Sequence, residues 1–177
     1  MKKLLLHVCC GPCAIYIARR LNKDYAVTLF FYNPNIWLKD EYERRYNVLK
    51  HWTDKKNLKL IEGQYNHDDW LEKVKGLENE LEGGARCTVC YKMRLAESAK
   101  FAKENGFEIL ATTLTIGRNK KANVINPIGI QAALKHGLEF IEADWKKQGG
   151  QEEACRMSKD ENFYRQNYCG CIFSLNR

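Results

Sequence analysis

Leu4-Leu5-Leu6-His7-Val8-Cys9-Cys10-Gly11-Pro12-Cys13-Ala14-Ile15-Tyr16-Ile17-Ala18-Arg19-Arg20-Leu21 decides the fold. Its opening residues, Leu4–Val8, are a short apolar run bounded by a Gly-Pro step, the pattern of a buried strand. Beyond the step, Ile15, Ala18 and Leu21 share one face of a helix over Ala14–Leu21. Ala26–Tyr32 follows as a nearly continuous apolar run, which suits a parallel strand covered on both sides. Strand, turn, helix and strand in this order make a right-handed βαβ unit.

The rest of the chain continues the alternation. A helix is predicted from about Asp40 to Lys56, with Tyr42, Tyr46, Leu49 and Trp52 at helical spacing. Leu58–Ile61 reads as a strand, Asp68–Val74 as a helix and Gly83-Gly84 as a loop. A helix from about Tyr91 to the Asn105-Gly106 stop precedes the strand Phe107–Thr112. Ile128–Lys135 is a helix ended by Gly137, and Leu138–Ile141 is a fifth strand. A polar tail, about 143–177, carries its own helix, opened by Ser158 with Glu161 three residues on as a capping box. The expectation is one α/β domain over 1–177, a parallel sheet with helices on both faces, and a helical tail over the carboxyl edge.

Length and composition agree with one core: 177 residues, 45% hydrophobic, three prolines and no repeat. Met1–Val8 has two lysines and an apolar run shorter than the ~7–15 residues of a signal-peptide core. No stretch approaches the ~20 apolar residues that span a bilayer. The expectation is a cytoplasmic protein, whose thiols stay reduced and bind metals or do catalysis rather than form structural disulfides. A formal charge of +7 permits a polyanionic partner such as nucleic acid.

Seven of the eight cysteines fall into three clusters: Cys9, Cys10 and Cys13; Cys87 and Cys90; Cys169 and Cys171. Thiolates so spaced bind soft metals, iron–sulfur clusters included, or cycle through redox states. They exceed the four ligands of one structural zinc. The Cys10-Gly11-Pro12-Cys13 step between strand and helix also has the local form of a thioredoxin-type dithiol, but that leaves the other clusters idle. A disulfide between Cys169 and Cys171 closes a small strained ring, which suits redox cycling. Cys155 stands alone and reads as an inert buried thiol.

Topology brings the clusters together. Cys9 and Cys10 end the first strand, and Cys87 and Cys90 open a helix antiparallel to the strands. The tail leaves the carboxyl end of the fifth strand, so all three can meet where open α/β sheets bind ligands. Arg86, Lys92, Arg94, Arg118, Lys120, Lys121, Arg156 and Arg165 flank that edge in the sequence reading and suit phosphate contacts. Phe31, Tyr32, Trp37, Tyr91, Tyr164 and Tyr168 are candidates to stack an unpaired base, with core packing the alternative. His7, inside a strand, reads as a hydrogen-bonded core histidine. Neither GxGxxG nor GxxxxGK[ST] occurs, so no dinucleotide or Walker-type phosphate site is indicated.

These residues, with Phe30-Phe31-Tyr32-Asn33-Pro34-Asn35-Ile36, Arg86-Cys87-Thr88-Val89-Cys90-Tyr91-Lys92-Met93-Arg94-Leu95, Thr112-Thr113-Leu114 and Tyr164-Arg165-Gln166-Asn167-Tyr168-Cys169-Gly170-Cys171-Ile172-Phe173-Ser174, resemble the QueH-type epoxyqueuosine reductases along essentially the whole chain. The resemblance implies an ATP-pyrophosphatase-like (HUP-like) α/β core with cysteines in place of the phosphate loop. It implies reduction of the epoxide of epoxyqueuosine to queuosine at the wobble base of certain tRNAs, without cobalamin, by an iron–sulfur cluster and an external electron donor. Carried over by motif, Cys9, Cys10, Cys87 and Cys90 are ligands of a [4Fe–4S] cluster. Cys169 and Cys171 are a redox-active pair or, with Cys13, ligands of an additional iron. Tyr168 or Asp144 is the candidate proton donor, and Arg86, Lys92, Arg94, Arg118, Lys120, Lys121 and Arg165 are the candidate tRNA contacts. Ser158-Lys159-Asp160 stands where a Ser-Arg-Glu-like stretch is the pattern, with both charges kept. The rival readings are a tRNA-thiolating iron–sulfur enzyme, which would need ATP, and a zinc-stapled tRNA-binding module without catalysis.

Overall fold

The structure is a computed structural model and describes residues 1–175. Five strands form one wholly parallel sheet: β1 (Lys3–Val8), β2 (Ala26–Phe31), β3 (Lys59–Glu62), β4 (Ile109–Thr112) and β5 (Glu139–Phe140), in the order β3-β2-β1-β4-β5. The chain steps outward from β1 to β3, then returns to the other side of β1 with β4 and β5. The reversal makes a topological switch point between the carboxyl ends of β1 and β4.

Six helices connect and cover the strands: α1 (Gly11–Leu21), α2 (Lys39–Lys55), α3 (His67–Lys73), α4 (Ala85–Glu104), α5 (Ala122–Lys135) and α6 (Gly150–Asp160). The alternation of β1 explains the two layers. Leu4, Leu6 and Val8 pack with Leu29 and Phe31 against α1, α2 and α6 through Ile17, Ala18, Leu49, Trp52, Ala154 and Met157. Leu5 faces the other way, with Phe30 and Leu110, against Ala99 and Ala102 of α4 and Ala133 of α5. A strand buried on both faces needs apolar residues, and past the exposed Lys3 that opens it β1 supplies them at every position except His7. The small residues of α4 and α5 let these helices approach the sheet closely; Gly129 of α5 lies so near the Phe140 ring that a Cβ there would meet it at 2.2 Å.

Several boundaries shift from the sequence reading. Helix α1 begins at Gly11 with Pro12 in its first turn, where a missing N–H costs nothing, so Cys13 is helical and Cys10 is the N-cap. Helix α4 begins at Ala85, which places both Cys87 and Cys90 in its first two turns. Helix α5 begins at Ala122 and carries Pro127 inside its first turns. The capping box at Ser158 does not form. Ser158 is buried in the last turn of α6 and Glu161 is that helix's C-cap. Burial of Ala154, Met157 and Ser158 on α1 sets the phase of this helix, and the local Ser-x-x-Glu pattern yields to it. Helix α6 therefore lies on α1, and the irregular stretch after it crosses the carboxyl edge of the sheet. Among the described residues, no helix is long and apolar enough to cross a membrane.

Candidate functional site

The floor of the switch point is a polar relay through three strands. His7 pairs in register with Thr112, and its Nδ1 lies 2.9 Å from Thr112 Oγ1 while Nε2 lies 3.2 Å from the Tyr32 carbonyl. The Tyr32 carbonyl can only accept, so in the neutral ring His7 Nε2–H donates to it and Nδ1 accepts from the Thr112 hydroxyl, whose oxygen also accepts from the Leu114 N–H at 3.2 Å. Burial, with the Arg94 charge nearby, lowers the His7 pKa to about 3 and keeps the ring neutral. His7 is thus the hydrogen-bonded core histidine its position suggests.

Above this floor the first cysteine cluster comes together. Adjacent residues on a straight strand point to opposite faces, yet Cys9 and Cys10 have their sulfurs 3.8 Å apart. The chain bends at Cys9, just past β1, and Cys10 is the extended N-cap of α1. Cys13 arrives from the first turn of α1, and the three Sγ atoms all lie within 4.8 Å of one another. Hydrogen bonds from Cys10 and Cys13, backed by Arg94 and Lys120, hold the Cys9 thiol well below its ordinary pKa. Against a hydrogen bond from Cys13, donation to Cys9 and burial push Cys10 up to about 12. Three soft sulfurs this close together suit a soft cation, and metal binding there would expel their protons.

The other clusters join at the same edge. Cys87 and Cys90 are buried on one turn of α4, Cys87 accepting from the Gly83 N–H at 3.2 Å. Cys90 packs with Cys171, Trp70 and Val74. Cys169 is half-buried and accepts from Lys120 Nζ at 3.0 Å. All eight cysteines are free thiols, and Cys155 is half-buried on α6.

The basic residues read as phosphate contacts divide by accessibility. Arg86 is buried. Its Nη1 donates to the carbonyls of Leu77, Glu78 and Glu80, and its guanidinium covers the Phe173 ring at 5.0 Å. Arg94 is also buried, donating to Asn33 Oδ1 at 2.5 Å. Burial works against its charge, but Cys90, Cys9 and Cys169 raise its pKa above the ordinary value. Lys120 is buried over the Tyr91 ring at 5.7 Å. Burial opposes its charge too, yet Cys169 and Tyr91 raise its pKa well above normal. Arg94 and Lys120 therefore belong inside the thiol site as its counter-charges. Lys92, Arg118, Lys121 and Arg165 are exposed, while Arg156 is ion-paired with Glu153 and Asp160 on α6.

Of the aromatic candidates, Phe31, Tyr32 and Tyr91 are core residues, and Trp37, Tyr164 and Tyr168 are half-buried at the edge. The Tyr168 hydroxyl donates to the Trp37 carbonyl at 3.1 Å. Asp144 sits apart from the thiols in a cleft of about 910 Å³, with Tyr16, Lys121, Asn126 and Trp145, and faces Lys146 at 4.0 Å. Glu41 and Arg45 went unnoticed in the sequence. Their i,i+4 spacing on a helix is the one signal that points to a pair.

The doubly wound α/β core thus carries, at its switch point, a Cys9, Cys10 and Cys13 group that could hold a metal ion. The family model described as epoxyqueuosine reductase QueH matches residues 4–177. Proteins named epoxyqueuosine reductase QueH are similar to this chain throughout. That of Acinetobacter baylyi is 42% identical over 177 residues, covering 98% of this chain and 80% of its own. That of Streptococcus pyogenes serotype M1 is 37% identical over 177 residues, with 97% and 69% covered. That of Thermotoga maritima is 34% identical over 178 residues, with 99% and 91% covered. The chain belongs to the epoxyqueuosine reductase QueH family.

Proposed function

We propose that this protein reduces the epoxide of epoxyqueuosine at the wobble position of tRNA, the closing step of queuosine formation, with an iron–sulfur centre held by its edge cysteines. The observation that carries the reading is the convergence of Cys9, Cys10 and Cys13 within 4.8 Å, with Cys87 and Cys90 buried at the same edge. These residues fit such a group: soft sulfur donors, dry surroundings, and two buried cations to offset the thiolate charge. Cys9, Cys10, Cys87 and Cys90 hold a [4Fe–4S] cluster in this reading, and Cys13, Cys169 and Cys171 are the thiols left for an additional iron or a dithiol. Bound there, the cluster supplies single electrons and a Lewis-acidic iron.

The overall change is balanced by two electrons and two protons. Both bonds from carbon to the epoxide oxygen break, a carbon–carbon double bond forms, and the oxygen leaves as water. The electrons come from an external donor. The chain's own part is to orient the base, exclude water and bring protons. Tyr168 stands within the tail segment that carries Cys169 and is the proton-donor candidate nearer the thiols, with its phenol raised in pKa by burial and therefore protonated. Asp144 would act from the neighbouring cleft. An unpaired wobble base can be turned into the edge without opening a duplex, and the exposed Lys92, Arg118, Lys121 and Arg165 would hold flanking phosphates.

The test combines composition and turnover. Protein from iron-replete cells should carry several irons and matching sulfide per chain, and Ala at Cys9, Cys10, Cys87 or Cys90 should strip or destabilise them. Mass spectrometry should show loss of one oxygen from epoxyqueuosine-modified tRNA when a strong reductant is supplied. Zinc alone in the protein, or unchanged tRNA with the metal centre intact, would refute the reading.

A further inference from the structure

We propose that Glu41 and Arg45 of α2 are positioning residues: the buried pair fixes the backbone of the Cys169-Gly170-Cys171 loop so that Cys169 is presented to the thiol site. The inference rests on the reading above only in giving that loop a part in electron delivery.

The arginine side chain is 1% exposed and the glutamate 8%, with Arg45 Nε donating to Glu41 Oε1 at 2.7 Å. The rest of the guanidinium goes to the tail. Nη1 donates to the Cys169 carbonyl at 3.0 Å and Nη2 reaches the Tyr168 carbonyl at 3.3 Å. Its plane covers the Tyr168 ring at 5.1 Å, and the second glutamate oxygen accepts from the Tyr164 hydroxyl at 3.0 Å. Two further bonds complete the latch: the Trp37 N–H donates to the Gly170 carbonyl at 2.7 Å, and the Tyr168 hydroxyl donates to the Trp37 carbonyl.

The loop has no slack. Gly170 has φ +127, and a Cβ there would come within 3.1 Å of Arg45 Nη1 and of Ile36. The Cys169 sulfur is set by the same hold, since the residue whose carbonyl Arg45 grips accepts from Lys120 Nζ at 3.0 Å. A buried ion pair is a poor source of stability, because desolvation offsets the attraction, and its attested use is to select one arrangement. Here every remaining bond of the pair ends on the tail. A guanidinium suits the task because its fixed fork can serve the glutamate and two carbonyls at once, which an ammonium on a single stem cannot.

The experiment uses iron-loaded Arg45→Ala with and without methylguanidinium, which can enter the space left. Amide hydrogen exchange of a peptide covering residues 164–172 should quicken by about tenfold or more, because the loop loses its anchors. On epoxyqueuosine-modified tRNA, kcat should fall by about tenfold or more with KM held within roughly twofold, the mark of lost positioning rather than lost binding. Methylguanidinium should restore both, and most of the iron should stay bound. Wild-type exchange, or a fall in kcat that the additive does not relieve, would overturn the assignment. Should Arg45→Ala not fold, Tyr164→Phe loosens the same pair by one bond and should still raise exchange over this peptide; no rise there counts equally against it. Cys169→Ala is the control: full turnover in that variant removes the redox role of the loop, and the exchange data then decide the latch alone.

Discussion

Arg94→Met leaves the buried Asn33 oxygen without its donor, because Asn33 spends its own amide on the Val8 carbonyl at 2.9 Å. An orphaned acceptor of this kind costs about 1–3 kcal/mol, so the denaturation midpoint of the metal-free variant should fall accordingly. The same change withdraws positive charge from Cys90 and Cys9, so iron per chain should fall too. Unaltered stability would show that Asn33 finds another donor. The sequence reading put Arg94, Arg86 and Lys120 among phosphate contacts because a cation near a cluster of thiols looks alike whether it faces solvent or sulfur. Burial distinguishes the two, and burial of a charge depends on partners far away in the chain: Asn33 lies on the β2–α2 connection and Cys169 on the tail. The cysteines were legible for the opposite reason, since their spacing is itself the chemical signal.

At the scale of elements, the turn between β5 and α6 is the tightest joint. A Cβ at Gly150 would meet the Trp145 carbonyl oxygen at 2.1 Å and the Tyr16 ring at 3.1 Å. Trp145 in turn donates from its indole to the Thr112 carbonyl at 3.0 Å, pinning this turn to the end of β4. Gly150→Ala should therefore cost about 1–3 kcal/mol through forced backbone displacement, seen as a lower Tm, while the neighbouring Gly149→Ala meets no atom within 4 Å and suffers only from its positive φ. Equal Tm shifts in the two variants would contradict this account. β1, β2 and the helix between them could be read from the chain because periodicity and the Gly-Pro step agreed. The start of α6 could not: Gly149-Gly150 looks like a breaker, and only the apolar face toward α1 shows that a helix begins there.

Over the whole molecule, the parallel sheet followed from the alternation of strands and helices, while the strand order β3-β2-β1-β4-β5 came only from the structure. Charge placement did not, because a formal +7 says nothing about which cations reach solvent. The structure leaves Lys92, Arg118, Lys121 and Arg165 exposed. Replacing one that touches phosphate should weaken binding to every substrate tRNA alike and reduce the salt slope by about one, as measured by titration at several salt concentrations. Arg86→Met should instead act on folding, since three backbone carbonyls lose their donor. A tRNA-specific loss in a well-folded Arg86 variant would place that residue at the nucleic acid after all.

The contact between the Cys9 and Cys10 sulfurs, with Cys13 close by, has a consequence for the metal-free chain. Thiols held at this range, with the pKa of Cys9 lowered by its neighbours, are as well placed to attack an oxidised neighbour as to ligate a cation. Oxidation and metal binding thus compete for the same three atoms. Oxidation would join two of these thiols as a disulfide and remove them as ligands, so a metal-free chain should lose metal-binding capacity on exposure to air and regain it on reduction.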